Sequence, residues 1–296
     1  MALWGCARAA PAPPALFERL TPESSGVTFV NELPERPEFN ILNYLYYYNG
    51  AGVAVGDVDG DGLQDLYFSS NLGSNRLYRN KGNYTFEDVT ELAGVKGPEG
   101  WKTGVTMADV NGDNHVDIYV SAVNYLTMHG RNVLYVNNGD GTFSDRSKEF
   151  GLDFAGYSTQ AAFFDFDSDG DLDMYLLNHS THGERTNGSP ALRHVRHPTA
   201  GDRLFRNDGN RFVDVSEKAG IYGGVEGFGL GVVASDVNVD GCPDLYVAND
   251  FQENDFLYFN NCDGTFTESV ARAMGHTSRF SMGVDDAEFI KDALPD

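Results

Sequence analysis

Short apolar runs, rich in β-branched and aromatic side chains, recur along this chain between turns of glycine, asparagine and aspartate. Runs of this length and composition are typical of β-strands and too short for most helices. Turns such as Asn138-Gly-Asp-Gly141 contain residues that readily adopt the positive φ of tight hairpins. The pattern therefore predicts an all-β protein.

Four strands are predicted in each of four consecutive repeats. The first strands are Gly52–Gly56, Gly104–Ala108, Ala161–Phe164 and Gly229–Ser235. The second strands are Leu66–Phe68, Ile118–Val120, Met174–Leu176 and Leu245–Val247. The third strands are Arg76–Asn80, Val133–Asn137, Arg203–Asn207 and Phe256–Asn260, and the fourth lie around Phe86, Phe143, Phe212 and Phe266. Four short antiparallel strands at a period of roughly 50 residues predict the blades of a β-propeller.

Between the first and second strands of each repeat lies a nine-residue loop with oxygen-bearing side chains at alternate positions. Such side chains around a tight turn at position 6 suit Ca²⁺. We expect side-chain oxygens at positions 1, 3, 5 and 9, the main-chain carbonyl at position 7, and water to complete the shell. The predicted ligand positions are Asp57, Asp59, Asp61, Leu63 and Asp65; Asp109, Asn111, Asp113, His115 and Asp117; Asp165, Asp167, Asp169, Asp171 and Asp173; and Asp236, Asn238, Asp240, Cys242 and Asp244.

These loops differ from EF-hands, which need an acid at position 12 and a helix on each side. Position 12 is apolar here and lies in a predicted strand, as Phe68, Val120, Leu176 and Val247. We therefore expect up to four structural calcium ions that hold the turns between strands. An acidic turn is often only solvated surface, but four copies in one register favour a shared task. The third loop has the most carboxylates and is expected to bind most tightly; the second and fourth have asparagine at position 3 and are expected to bind less tightly.

The overall charge limits the classes of partner. Lys and Arg total 21 against 44 Asp and Glu, a formal net charge of −23. A nucleic-acid-binding protein needs a basic surface, so this class is excluded. No apolar run approaches the ~18 residues that a membrane span requires. Leu3-Trp-Gly-Cys6 is similar to the end of a bacterial lipoprotein signal, with a lipid anchor at Cys6, but we prefer an unstructured leader because the charged start and the apolar segment are missing.

The repeats divide the chain as follows. Residues 1–15 form the leader and 16–48 an N-terminal strand segment, in which Leu16–Gly26 resembles the end of a repeat and Tyr44–Tyr48 is expected to pack in the core. The repeats cover 49–100, 101–156, 157–226 and 227–279, and 280–296 begin a degenerate fifth copy in which we expect no metal. The third repeat contains an insertion, 178–200, that is a candidate for partner binding.

Two further groups of residues invite predictions. Cys242 and Cys262 flank one hairpin symmetrically, so we predict that they lie opposite each other on its strands and form a disulfide. The alternative is that Cys242 serves only through its carbonyl in the fourth loop. The insertion contains two His-x-x-His pairs that could bind zinc or copper, although a solvated loop is the simpler interpretation: His179, His182, His194 and His197.

The aspartate loop with its flanking strands resembles the FG-GAP/VCBS repeat of the integrin α-subunit propeller. Leu-Tyr-Arg-Asn at residues 77–80 and Ala-Gly-Val at residues 93–95 resemble the group that contains cartilage acidic protein and the ASPIC/UnbV-associated proteins. The resemblance implies a secreted, cell-surface or envelope protein. It also implies a fragment of a longer, seven-bladed propeller, because four repeats and the start of a fifth are present and the ASPIC/UnbV domain is not; such a fragment need not close or function alone.

From these features we expect a non-enzymatic calcium-binding scaffold for adhesion to an extracellular protein or glycan. No nucleophile elbow, phosphate loop or HExxH motif is present in the sequence. The alternative is a polysaccharide-active enzyme, or its binding module, because a pair of catalytic carboxylates leaves no local signature.

Overall fold

The computed structural model describes residues 17–181, 190–251 and 253–286 and confirms the all-β prediction. The first antiparallel sheet contains β1 (Val53–Gly56), β2 (Asp65–Phe68), β3 (Arg76–Asn80) and β4 (Phe86–Asp88). The second contains β5 (Trp101–Ala108), β6 (Asp117–Tyr125), β8 (Val133–Asn137) and β9 (Phe143–Asp145). The third sheet contains β10 (Ser158–Phe164), β11 (Asp173–Asn178), β12 (Arg203–Asn207) and β13 (Phe212–Asp214). The fourth contains β14 (Gly229–Ser235), β15 (Asp244–Asn249), β16 (Phe256–Asn260) and β17 (Phe266–Glu268). Each sheet is one propeller blade, numbered 1 to 4 in chain order.

The strands follow the predicted order, and the third strand of every blade has the predicted bounds. Strand β7 (Met128–His129), which pairs with an extension of β6, was not predicted. Nor were the single helical turns α1 (Pro22–Ser25), α2 (Thr90–Ala93), α3 (Ser147–Phe150), α4 (Ser216–Ala219) and α5 (Val270–Ala273), or the 3₁₀ turns Leu45–Tyr48 and Pro190–His194. Four-residue helices carry too few residues to show helical periodicity. None of the helices in the described part of the chain is long and apolar enough to cross a membrane.

The core lies between the faces of consecutive blades. On β6, Ile118 and Val120 pack toward blade 1, whereas Tyr119 packs toward blade 3. On β11, Leu176 packs toward blade 2 and Tyr175 toward blade 4. The first strands of neighbouring blades contact each other, β1 with β5, β5 with β10, and β10 with β14. The second strands of blades 2 and 3 are thus buried on both faces, which explains why they read as continuous apolar runs.

The N-terminal segment docks on blade 1 as each blade end docks on the next blade. Helices α2, α3 and α4 end at glycines with positive φ, and so does α1, at Gly26 (φ 79°). A Cβ at Gly26 would lie 2.2 Å from the carbonyl oxygen of Phe86, and one at Gly220 would lie 2.9 Å from that of Phe266. Only glycine fits at these approaches. The described part of Leu16–Gly26 therefore has the structure of a repeat end, as its sequence suggested.

The segment around Gly283 packs against the first strand of blade 4 in the position that the first strand of a next blade would have. A Cβ at Gly52 would lie 3.0 Å from the Cα of Gly104 in the next blade, and one at Gly231 would lie 2.9 Å from the Cα of Gly283. Residues near Gly283 therefore run beside β14 as β5 runs beside β1. The degenerate loop that begins at Glu288 lies outside the described residues, as does Cys6.

The tyrosine run packs as expected. Tyr44, Tyr46 and Tyr47 are buried, with Phe39 and Trp101 in the same cluster. Tyr48, by contrast, is exposed. The run covers the neighbouring blades with aromatic surface, which confirms a packing role for its three buried members.

Candidate metal centre: the aspartate loops

Each loop is shaped by its own carboxylates. In the first loop, Asp57 Oδ1 accepts a hydrogen bond from the backbone N–H of Gly60 (2.8 Å), and Oδ2 accepts one from that of Gly62 (2.8 Å). Asp61 Oδ1 accepts from the N–H of Leu63 (2.8 Å). Bonds from position 6 to position 1 recur in the other loops at 2.8, 3.1 and 2.8 Å. These short-range bonds curl each loop around the carboxylate at position 1.

Two positions in each loop adopt left-handed backbone conformations. Position 6 does so, as the glycine pattern predicted, and position 4 does so as well: Gly60, Gly112, Ser168 and Val239. Val239 has φ 60°, a conformation in which a β-branched side chain is strained. The fourth loop therefore contains a locally unfavourable residue that the other loops avoid.

We expect Val239→Gly to raise the free energy of unfolding by ~1 kcal/mol, because relief of left-handed strain outweighs the added chain entropy of glycine. The Val239 side chain is 56% exposed, so little packing is lost. Urea unfolding would measure the change. Val237→Gly is the matched control, since this exposed valine of the same loop has no positive φ, and it should destabilise. Equal losses in both variants would contradict the assignment of strain to Val239.

The ninth residue of every loop is a fully buried aspartate that ties the loop to the third strand. Asp173 Oδ2 accepts from the N–H of Phe166 (3.1 Å), and Oδ1 accepts from the N–H of Asn207 (2.8 Å). Equivalent pairs of bonds hold Asp65, Asp117 and Asp244. Burial raises the pKa of Asp173 to about 7 and that of Asp117 to about 6, and it raises those of the other two as well.

In blades 2, 3 and 4, an asparagine at the end of the third strand links the loop of the preceding blade to its own blade. Asn137 Nδ2 donates to the carbonyl of Val58 in the loop of blade 1 (2.8 Å). Asn207 donates in the same way to Val110 (3.3 Å), and Asn260 to Phe166 (2.8 Å). Each of the first three loops is thus bonded to the blade that follows it.

We expect Asn260→Ala to destabilise the protein by about 1–3 kcal/mol, because a buried inter-blade carbonyl loses its donor. Asn80→Ala is the matched control. The side-chain amide of Asn80 donates to the Gln64 carbonyl of its own blade, at 2.8 Å, so its loss should be smaller by about 1 kcal/mol. Chemical denaturation of both variants measures the difference. Equal losses would show that the inter-blade bond contributes nothing.

Two of the four loops gather three carboxylates. Ligand oxygens of Asp57, Asp59 and Asp61 lie within 4.8 Å of one another, and so do those of Asp165, Asp167 and Asp173. Carboxylates at this spacing form an oxygen cluster of the kind that calcium requires. These clusters are the strongest candidates for cation sites in the described part of the chain.

The third loop also contains buried oxygens that lack a partner. Asp167 Oδ1 and Asp171 Oδ1 are inaccessible to solvent and accept no hydrogen bond from the described residues. Burial, followed by repulsion from Asp169, raises the pKa of Asp171 to about 6. Unsatisfied buried carboxylate oxygens are costly unless a cation compensates them. The donor set of this loop therefore fits a hard divalent cation.

The second and fourth loops lack such a cluster, although every residue in both is described. The side-chain amide of Asn111 makes two hydrogen bonds with Asp113. Its Nδ2 donates to Asp113 Oδ2 at 2.9 Å, and its Oδ1 accepts from the backbone N–H of Asp113 at 3.0 Å. In the fourth loop, the candidate group combines Asp240 with the sulfurs of Cys242 and Cys262. Those sulfurs are joined in a disulfide and are not metal ligands.

Arginine accompanies the loops that have aspartate at position 3, a feature that sequence reasoning missed. Arg79 Nη1 lies 3.9 Å from Asp59 Oδ2. Burial raises the pKa of Asp167, repulsion from neighbouring aspartates adds to the shift, and Arg206 partly offsets it. In loops with asparagine at position 3, the equivalent third-strand residues are Val136 and Phe259. The pairing of an arginine in the third strand with an aspartate at position 3 of the loop could have been recognised in the sequence of each repeat that contains it.

The predicted disulfide between Cys242 and Cys262 is present, with the two Cα atoms 5.8 Å apart. Its predicted location was wrong in detail. Cys242 lies in the fourth loop, before β15, and Cys262 lies in the turn after β16, because the hairpin strands end before either cysteine is reached. The disulfide therefore joins position 7 of a candidate cation loop to the following hairpin turn.

The histidines are not assembled into a metal site among the residues described. Contrary to the expectation of a solvated loop, His179 is fully buried. Its Nε2 lies 2.8 Å from the Tyr44 hydroxyl. His194 is exposed beside Tyr222, and His197 Nδ1 accepts from the N–H of Ala200 (3.1 Å). His182 lies outside the described residues. None of the candidate metal clusters in the described ranges includes a histidine.

Comparisons with known proteins agree with the repeat structure. Residues 57–120 and 122–176 match the family model of an FG-GAP-like repeat. Cartilage acidic protein 1 of Mus musculus is 32% identical over 209 residues, which are 69% of this chain and 29% of that protein. The Homo sapiens protein is 31% identical over 209 residues, 69% of this chain and 28% of its own length. The chain thus spans less than a third of these relatives.

A solved structure concerned with recognition of non-reducing terminal N-acetylglucosamine by an Agrocybe aegerita lectin is also similar. It has a TM-score of 0.39 and 18% identity, and the match covers 72% of this chain and 50% of that one. A likeness of this size carries no argument about function. The repeats, the blades and the curated relatives together lead to one assignment. The chain belongs to the FG-GAP-like repeat family and is related to cartilage acidic protein 1.

Proposed function

We propose that this protein is a calcium-binding extracytoplasmic β-propeller that acts as a non-enzymatic scaffold for binding or adhesion. The observation that carries the proposal is the pair of three-carboxylate clusters in the first and third loops. In the third loop, two buried carboxylate oxygens also lack a hydrogen-bond partner among the described residues. Calcium bound there would neutralise carboxylates that now repel one another. The second and fourth loops are proposed as weaker sites.

The position of the loops supports a structural role for calcium. The third loop is bonded to blade 4 through Asn260, and the ninth aspartate ties it to β12. A cation that rigidifies this loop therefore also rigidifies the contact between two blades. The disulfide supports an oxidising, extracytoplasmic location. A secreted form and a lipid anchor at Cys6 remain predictions.

The proposed partner is an extracellular protein or a glycan. The alternative is a polysaccharide-active enzyme whose site would include His179 and His182 of the insertion. Tyr44 and Tyr46 cover His179, whose ring is fully buried, and this arrangement does not favour a catalytic role. Glycan-array binding with product formation that is lost on changing His179 would support the enzyme; binding without turnover would support the scaffold.

Calcium titration by calorimetry tests the proposal with a variant of the third loop in which one carboxylate oxygen is replaced by an amide nitrogen. Asp167→Asn gives the third loop the position-3 residue of the weaker loops, so its affinity should fall about tenfold or more, equivalent to ~1.4 kcal/mol. Asp153→Asn is the control, because Asp153 is exposed and outside the loops. Absence of calcium binding by the unsubstituted protein, or equal affinities for all three proteins, would overturn the assignment.

A further inference from the structure

A pocket of about 190 Å³ lies toward the beginning of the first strands, whereas the aspartate loops follow their ends. Each blade contributes a residue from its first strand or from just before it: Gly52, Gly104, Gln160 and Leu230. Tyr44, Tyr46 and Trp101 form an aromatic wall, and the exposed residues Asn49 and Met282 leave the pocket open to solvent. A cavity of about 150 Å³ holds benzene, so this pocket has room for one six-membered ring.

Irregular strand pairing shapes the pocket. The register between first and second strand shifts once in each of β5, β10 and β14. The residues at these shifts all line the pocket: Thr103, Gly104, Thr159 and Leu230. A β-bulge interrupts the ladder and redirects side chains, and bulges are frequent beside functional sites. The meeting of three bulges at one pocket makes this pocket a candidate binding site.

Two polar side chains of the pocket are available to a ligand. The Gln160 amide and the Trp101 indole N–H make no hydrogen bond with the described part of the chain. Trp101 is only 1% exposed, but its indole nitrogen is not sealed from solvent. A Cβ at position 104 would lie 2.0 Å from Gln160 Oε1, so Gly104 leaves the amide its place in the pocket.

Two threonine hydroxyls at the pocket have already used their protons. Thr103 Oγ1 donates to the carbonyl of Ser158 (2.7 Å), and Thr159 Oγ1 donates to that of Gly229 (2.8 Å). Each hydroxyl oxygen still has a lone pair with which it can accept. The indole N–H only donates, and the glutamine amide does both. These groups together suit a ligand whose own groups both donate and accept, as sugar hydroxyls do.

The lining is also uncharged. No residue that lines the pocket in the described ranges carries a charge, although the chain has a formal net charge of −23. Asp250 accepts a hydrogen bond from the Tyr46 hydroxyl (3.4 Å) but does not line the pocket. A charged ligand would lose its hydration here without gaining an opposite charge, whereas neutral hydroxyls would find partners.

We propose that this pocket binds one neutral pyranose ring, the end residue of a glycan. The end of a chain is favoured because the pocket has room for a single ring. The Trp101 N–H would donate to a ring hydroxyl, the hydroxyls of Thr103 and Thr159 would accept, and the Gln160 amide would do both. The inference rests on the proposed function as a binding scaffold and selects a glycan as its ligand.

Tryptophan fluorescence of a Trp4→Phe chain tests the pocket directly, because Trp101 is then the only tryptophan. Methyl glycosides of glucose, galactose, mannose and xylose are titrated in saturating calcium. At least one should change the emission saturably, in the millimolar range or tighter. Gln160→Leu in this background should weaken binding about 3- to 10-fold, because the amide hydrogen bonds are lost.

Gln64→Leu is the matched control, since this exposed glutamine lies outside the pocket, and it should leave sugar binding unchanged. The absence of a saturable change with all four glycosides would overturn the proposal. Equal binding by the Gln160→Leu and Gln64→Leu chains would overturn it too.

Ligand charge gives a second measurement that does not depend on a variant that folds. Analogues of the bound ring with a carboxylate at C6 or an ammonium at C2 should bind at least about tenfold more weakly, because no opposite charge lines the pocket. Equal binding of neutral and charged rings would contradict the proposal.

Crystals of the full chain soaked with the bound glycoside should show the ring beside Gln160 and Trp101. A ring at another place, or water alone in the pocket, would overturn the proposal. Calcium binding by the loops is measured separately by calorimetry. Loss of sugar binding with calcium binding intact would sink this inference alone, and sugar binding without calcium would sink only the calcium assignment.

Discussion

Asp173→Ala should lower the free energy of unfolding by about 3–5 kcal/mol. Asp173 is fully buried, and its two oxygens accept the N–H groups of Phe166 and Asn207. Alanine would leave both donors buried without an acceptor and would create a cavity where the third loop meets the end of β12. The loss combines two unsatisfied groups, each worth about 1–3 kcal/mol, with lost packing.

The loss on Asp173→Ala should persist when calcium is chelated, because the two hydrogen bonds do not require the ion. Chemical denaturation in calcium and in chelator measures both values. Asp153→Ala is the control, since that carboxylate is exposed and its removal should change stability by no more than ~0.5 kcal/mol. If chelated Asp173→Ala were as stable as the chelated unsubstituted protein, Asp173 would act only through the metal.

Removal of calcium should lower the thermal midpoint of the unsubstituted protein by about 10 °C. A site held at one hundred times its dissociation constant stabilises the folded state by ~2.7 kcal/mol, and the first and third loops together contribute about twice that. In a chain of this size, each kcal/mol corresponds to roughly 2 °C or slightly more. Differential scanning calorimetry with calcium and with chelator measures the shift.

The chelator effect should be specific to the carboxylate clusters. In a variant with Asp59→Asn and Asp167→Asn, calcium should raise the midpoint by less than half as much, because each cluster loses one carboxylate. Magnesium should substitute poorly, since it favours a rigid octahedral shell with several waters. An unsubstituted protein whose midpoint is indifferent to chelator would rule out a stabilising role for calcium.

Local chemistry made much of the fold predictable. Glycine and asparagine at turns, aromatic and β-branched runs, and the repeat period placed all sixteen blade strands in order, because these signals depend on neighbouring residues. The charge match between Arg79 and Asp59 was also present in the sequence. It was missed because the loop and the third strand are separated along the chain.

Other features were beyond reach because they depend on contacts between distant segments. Tyr44 of the tyrosine run contacts His179, which lies 135 residues further along the chain, and this contact makes a candidate metal ligand a buried packing residue. The cysteines lie beyond their strands because pairing of β15 with β16 ends before the disulfide. Neither outcome is encoded in a local spacing.

The sequence by itself determined the repeat, the blade and the presence of four oxygen-rich loops, because period and turn chemistry are local. Asparagine at position 3 already set the second and fourth loops apart in the sequence, and the structure shows that, of the four loops, the first and third gather three carboxylates. The tertiary structure alone bonded Asn137, Asn207 and Asn260 to the preceding blades.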